Sequence, residues 1–401
     1  MVNRNDPGGV KMKVAIIGGG ASGLACAITL KRENPKIDVT IFEKLDQPGK
    51  KILATGNGRC NLSNFVISEE YYNGDHEIIH TVLDDFDVVN ALEFFNSLGL
   101  KIRDEEGRLY PYSMNASNVV ALLLKEANKL KIKINTDCKI ESLDSSLTIN
   151  KKYKFDKVVL ALGGKAAPQH GTDGDGYKLL KNLGIKYQPI SPALVQIKTE
   201  EDVKELKGIR FKGVLFLRDE DDDDDKPIKF QEGELLFTDY GISGIPAMQL
   251  SGDVAQMTAR GEKPLLNICF TPDLGLSDIN EYLDNQIDRG LKGQEMLYGI
   301  LNEKLAKYIY DKNQGDTNHI ALDIMSLPLT AIGTKGFKDA QVTRGGVGSD
   351  ELKPGTLETI KIPNLYITGE LLNVDGTCGG YNLHFAWGSG IKAAKEIANN
   401  A

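Results

Sequence analysis

The strongest constraint on the fold of this chain is a short apolar run, broken by glycines and resumed as a helix. Lys13-Val14-Ala15-Ile16-Ile17 is continuously apolar after its first residue rather than alternating, the pattern of a parallel strand buried on both faces. Gly18-Gly19-Gly20-Ala21-Ser22-Gly23 follows, and a helical period over 21–32 ends near Pro35. Residues 37–43 read as the next strand, completing one βαβ unit. In such a turn Gly18 permits the tight bend, Gly20 lets a pyrophosphate approach the backbone, and Gly23 lets the helix pack on the strand. The free N–H groups of the helix head then meet phosphate. Glu43 closes the second strand about 20 residues further on, where an acid accepts ribose hydroxyls. Its charge would repel a 2′-phosphate, so FAD or NAD fits better than NADP.

At 401 residues the chain calls for two or three domains. Its net charge of −8 comes mostly from Asp219-Glu220-Asp221-Asp222-Asp223-Asp224-Asp225, read here as the exposed tip of a hairpin. No basic footprint for nucleic acid stands out. Five scattered cysteines form no CxxC pair, and of the five histidines only His76 and His80 are closely spaced; neither a disulfide scaffold nor a metal site is expected. The apolar stretch 14–30 is interrupted by glycines and falls short of the about 20 apolar residues of a membrane span, so a soluble, cytoplasmic protein is expected. Met12 reads as a natural start, because the folded pattern begins at Lys13.

Further along, 44–64 reads as loop, 87–98 and 116–130 as helices, and 133–135, 139–143 and 157–162 as strands. From about Ser191 short alternating segments indicate antiparallel sheet, 277–313 reads as two or three helices, and the end returns to α/β with a closing helix over 387–399. The expected architecture is α/β: a discontinuous cofactor domain made by the two ends of the chain (12–190 and 336–401), with a β-rich insertion (191–272 and 318–335) and a small helical part (273–317) between them.

Two more segments carry chemistry. Lys50-Lys51-Ile52-Leu53-Ala54-Thr55-Gly56-Asn57-Gly58-Arg59-Cys60-Asn61 follows the ribose-binding acid. Its small residues admit an extended cofactor, and Lys51 and Arg59 offset pyrophosphate charge. Thr368-Gly369-Glu370 and Asp375-Gly376-Thr377-Cys378-Gly379-Gly380-Tyr381-Asn382-Leu383 read as a strand end and a glycine turn opening a helix, whose dipole would stabilise a reduced flavin.

With these segments in hand the chain resembles the bacterial BaiN/RdsA-type flavoproteins, a group that includes aminoacetone oxidase and bile-acid 3-oxo-Δ4,6 reductase. The resemblance rests on KILATGNGRCNLSN (51–64), GTDGDGY (171–177), ELLFTDYGISGIPAMQLS (234–251), VTRGGV (342–347) and NLYITGELLNVDGTCGGYNLHFAWGSG (364–390). It implies an oxidoreductase with a noncovalent FAD and three domains: a discontinuous Rossmann-like FAD-binding domain, an inserted β-barrel-like domain and a small helical subdomain. Carried over by position, the cofactor contacts are Gly18, Gly20, Ala21, Ser22, Gly23, Glu43, Lys44, Lys51, Gly56, Gly58, Arg59, Asn61, Ile140, Ala161, Gly163, Gly164, Gly369, Glu370, Gly380, Tyr381 and Asn382.

Three readings of activity stay open: reduction of an enone-type C=C in a small organic substrate, oxygen-dependent amine oxidation, and flavin binding without turnover. Reduction needs a proton donor, for which Tyr381, Cys378 and His384 are the candidates. No second strand–GxGxxG–helix for a nicotinamide cofactor is found, so either NAD(P)H binds transiently as electron donor or electrons arrive another way, and the donor is left open. Oligomeric state is left open.

Overall fold

The structure, a computed structural model, describes residues 11–219 and 226–400. By compactness the chain divides into one unit that runs to Ile190 and resumes at Val342, and a second over Ser191–Gln341.

The first unit is built on a five-stranded sheet. In chain order its elements are β1 (Lys13–Ile17), helix α1 (Ala21–Glu33), β2 (Asp38–Phe42), α2 (Ala116–Lys129), β3 (Lys133–Asn135), β4 (Lys157–Leu160), β5 (Leu365–Ile367) and α3 (Tyr381–Asn399). The strands lie in the order β5-β4-β1-β2-β3, all parallel. Val14, Ala15, Ile16 and Ile17 are buried, as are Val158, Val159 and Leu160 of the neighbouring β4; this is why both strands read as unbroken apolar runs. The last α/β elements complete a sheet begun at the other end of the chain.

Helix α1 is clamped between the sheet and α3. A Cβ on Gly23 would lie 2.0 Å from the Gly18 carbonyl oxygen, and one on Gly390 of α3 would lie 2.2 Å from that of Ser22. Backbone therefore meets backbone at both contacts, which only glycine permits.

Several local expectations are corrected. Residues 139–143 form no strand. The Asn150 side chain takes the place of a neighbouring strand there, accepting from the Glu141 and Ser142 N–H groups and donating to the Lys139 carbonyl. Within 44–64 lie a short helix, Lys50–Ala54, and a 3-10 turn, Thr55–Gly58. The closing helix begins at Tyr381, six residues before Trp387.

In the second unit, six antiparallel strands (Ile197–Thr199, Gly241–Gly244, Lys229–Phe237, Arg210–Asp219, Pro264–Cys269 and Leu327–Thr334) close into a barrel. The segment read as β-rich also contains a 16-residue helix, Ile245–Arg260, with Pro246 in its first turn, a position where proline costs no hydrogen bond. Helices Leu276–Asp288, Glu303–Lys312 and Thr317–Ser326 follow. Their Ile279, Leu283, Leu305 and Ile324 share one apolar cluster with Leu215, Leu266 and Ile268 of the barrel. Strands Arg210–Asp219 and Lys229–Phe237 pair antiparallel; the acidic tip at 220–225 lies outside the described residues. Among the described residues no helix is long and apolar enough to cross a membrane.

Candidate functional site

The head of α1 is bare. Gly20 is its N-cap, with no side-chain cap and no acid in the first turn, and Ala21 and Ser22 open the helix. An N–H-rich, positively polarised end is thus left for an acceptor from elsewhere. Gly18 has φ +109°, and a Cβ there would lie 2.2 Å from the Ala161 carbonyl oxygen, whereas one on Gly20 would meet nothing within 4 Å. Glu43 sits beside this turn. One of its carboxylate oxygens accepts from Gly19 N–H and the other from Leu45 N–H, both at 2.9 Å. Each oxygen keeps acceptor capacity for a further donor. Hydrogen bonds from Asp137 N–H to the Leu45 carbonyl and from Cys138 N–H to that of Glu43 tie the next segment here, and buried Ile140 follows two residues on.

A second bare helix head lies at α3. Gly380 caps it at φ +104°, again without a side-chain cap or a first-turn acid. A Cβ on Gly380 would lie 2.5 Å from the Ser63 carbonyl oxygen and 2.7 Å from Asn61 Oδ1, so the 56–64 segment is pressed against this turn. Gly56 and Gly58, at φ +56° and +83°, bend that segment back on itself. Asn61 Oδ1 is buried and has no hydrogen-bond partner. An orphaned buried acceptor costs about 1–3 kcal/mol, so this atom calls for a donor that the chain does not supply. Asn382 behaves differently. Its amide accepts from Gly376 N–H at 2.9 Å and donates to the Gly376 carbonyl at 2.6 Å, closing the turn before the helix.

The cations expected to offset pyrophosphate are already engaged. Lys51 Nζ lies 2.8 Å from Glu370 Oε2, while Glu370 Oε1 accepts from Thr343 N–H at 2.7 Å. Lys44 pairs with Asp173 and Asp175 at 2.9 and 3.1 Å. Arg59 donates to the Gly56 carbonyl, lies 3.7 Å from Glu105 and covers the Tyr110 ring at 5.0 Å. Gly164 packs against Thr343 and Glu370, Gly163 against Thr172, and Gly369 (φ +66°) against Ser22. Sequence spacing cannot reveal the pairing of Lys51 with Glu370, whose partners lie 319 residues apart.

The three proton-donor candidates occupy different surroundings. His384 is fully buried. Its Nε2 lies 3.0 Å from the Phe86 carbonyl and its Nδ1 2.8 Å from Ser63 Oγ. A carbonyl only accepts, so Nε2 carries the hydrogen and Nδ1 accepts from the serine. Burial pushes its pKa down to about 4. Tyr381 is pinned by Tyr71, stacked at 4.6 Å, and by the edge of Tyr72 at 5.8 Å. Burial lifts the Tyr381 phenol to about 12 and the Cys378 thiol to about 11, with the charge of Arg108 opposing both shifts. Tyr71 and Arg108 were not singled out in the sequence. They lie in stretches without glycine motifs, and only the fold brings them to this turn.

Two bare helix heads, each behind a glycine turn on a parallel sheet, are what a dinucleotide with a flavin at one end requires, and the protein falls in the class of FAD-dependent oxidoreductases with a Rossmann-type domain. The chain belongs to the HI0933-like family, whose Rossmann-domain description matches residues 12–396. It is 37% identical to the 3-dehydro-bile acid Δ(4,6)-reductase of Clostridium scindens, over 96% of this chain and 99% of that one. The ribosomal RNA dihydrouridine synthase of Escherichia coli is 27% identical over 95% and 97% of the two chains. Among solved structures, the 3-ketosteroid Δ1-dehydrogenase of Sterolibacterium denitrificans covers 97% of this chain and 99% of its own, at 12% identity and a TM-score of 0.48.

Proposed function

We propose that this protein reduces a C=C bond conjugated to a carbonyl in a small cyclic substrate. The observation that carries the reading is the geometry of the α3 turn, where the phenol of Tyr381, held by its stack on Tyr71, and the thiol of Cys378 place two proton donors beside a bare helix head. The reductase name of the Clostridium relative points the same way. FAD, when bound, supplies the hydride that adds to the β-carbon of the conjugated bond.

The chain's own residues do the rest. The head of α1 receives the pyrophosphate over Gly20, and Glu43 accepts from ribose hydroxyls. The head of α3 would stabilise negative charge on a bound flavin, and Asn61 Oδ1 would accept a hydrogen bond from it. Lys51 acts by fixing Glu370 rather than by meeting phosphate. Tyr381 donates the proton to the α-carbon, since a phenol near 12 matches an enolate. His384, neutral and bonded through both ring nitrogens, is a packing residue.

A second reading follows from the Escherichia coli relative's name. The C=C of uracil is also conjugated to a ring carbonyl, so the same chemistry would act on RNA. The test is an anaerobic spectrum of the yellow protein with NADH or NADPH, followed by reoxidation with a 3-oxo-Δ4,6 steroid or with unmodified ribosomal RNA. Bleaching and steroid-driven reoxidation support the proposal, and reoxidation by RNA alone replaces it with the second reading. Peroxide release with amines would instead mark an amine oxidase, and inertness to every partner a binding protein. Tyr381→Phe is expected to lower kcat by about 100-fold while FAD stays bound.

A further inference from the structure

Among the described residues, one arginine beside this turn has no counter-ion. Arg108 opens the strand Arg108–Pro111, with Asn64 directly opposite on one side and Glu105 on the other. Directly opposed residues of antiparallel strands project from the same face, with Cβ atoms about 5 Å apart. Asn64 uses that face to reach the glycine turn, its Nδ2 donating to the Gly379 carbonyl at 3.1 Å. Arg108 therefore stands on the face that meets the turn carrying Cys378 and Tyr381, and its charge acts on both.

The nearby acids do not neutralise it. Glu105 turns to Arg103 at 3.3 Å and to Arg59 at 3.7 Å, and those two arginines also lie over the Tyr112 and Tyr110 rings. Glu70 acts on Tyr381 and forms no ion pair with Arg108. Among the described residues no carboxylate comes within ion-pair distance of the Arg108 guanidinium, and no acceptor takes a hydrogen bond from it, although the residue is half-buried. Its guanidinium donors therefore stand beside the turn with no acceptor from the described residues, available to a ligand.

We propose that Arg108 receives a carboxylate of the substrate, so that the molecule reduced at this site is an anionic enone. This rests on the enone reading given above. A guanidinium grips a carboxylate through two parallel N–H···O bonds, fixing orientation as well as adding affinity. A polyanion such as RNA would call for a track of unpaired cations, and Arg59 and Arg103 are already engaged.

The experiment titrates the oxidised holoenzyme, followed by its flavin absorbance, with a 3-oxo-Δ4,6 bile-acid-type steroid bearing a free carboxylate and with its methyl ester. The acid is expected to bind about 10- to 100-fold more tightly than the ester. Arg108→Gln should erase that preference and raise KM for the acid while kcat changes little; Arg108→Lys should restore part of it, with FAD content unchanged in both. Equal affinity for acid and ester in the unaltered protein overturns the role of Arg108 and leaves the enone reading standing. Binding of neither compound sinks that reading and the proposal together. The acid–ester comparison needs no variant, so it stands even if the substitutions fail to fold.

Discussion

Gly18, Gly20 and Gly23 are spaced as one motif, yet the protein demands only two of them for its own packing. Gly18 takes a positive φ against the Ala161 carbonyl, and Gly23 touches the Gly18 carbonyl, whereas a side chain on Gly20 would meet nothing. Gly20→Val should therefore fold and lose its colour, because the added atoms occupy the space in front of the α1 head. Flavin absorbance and a thermal melt of the same sample check this, and stoichiometric FAD in that variant would remove the pyrophosphate from the turn. Gly23→Ala should instead lower Tm, since backbone would have to move. The identity of these glycines was legible in the sequence; which of them answer to the protein alone was not. Asn61 and Arg108 carry the same lesson. Their importance lies in partners they lack, and a missing partner is visible only when every neighbour is in place.

At the scale of one element, His384 and Glu396 of α3 act on stability in opposite directions. The folded pKa of His384 is lowered to about 4 from 6.5. As pH falls from about 6.5 to 4 the unfolded chain takes up a proton that the folded chain refuses, and stability declines. Burial lifts the Glu396 carboxyl to about 7 from 4.5. Its Oε2 accepts from Leu357 N–H, while Oε1 has no hydrogen-bond partner. Here the folded chain holds the proton longer, so the contribution is full below about pH 4.5 and is lost as pH rises through 7. Glu396→Gln should flatten that upper limb, stabilising the protein at pH 8 by at most about 3 kcal/mol while changing little at pH 4. Urea denaturation at both pH values reads the difference, and a parallel pH dependence in the two proteins would contradict it. A glycine turn opening a helix at 375–383 and a closing helix over 387–399 were both legible in the sequence; that they are one helix, Tyr381–Asn399, was not.

At the scale of the molecule, the flavin-binding class rests on a sheet assembled from both ends of the chain. The first unit has an apolar cluster of its own, from Val14 to Ile397, and a Cβ on Gly345 would lie 3.1 Å from the Ile190 Cα. The two ends left by excising 191–341 are thus close enough for a short Gly-Ser linker. That deletion should yield a monodisperse protein that keeps FAD, judged by gel filtration and flavin absorbance; a colourless or aggregated product would show that the first unit needs the second. Truncation after Gln341 should fail, because it strips β5 from β4 and α3 from α1. What the sequence alone determined was local: the buried strands, the glycine turn, the acid after β2 and the second glycine turn, each written in neighbouring residues. Tertiary structure decided the pairings of Lys51 with Glu370 and of Asn64 with Gly379, the tautomer of His384, and the unmet needs of Asn61 and Arg108. Those depend on residues far apart in the chain, brought together by the closing of the sheet, and no period or spacing along the sequence encodes such a meeting.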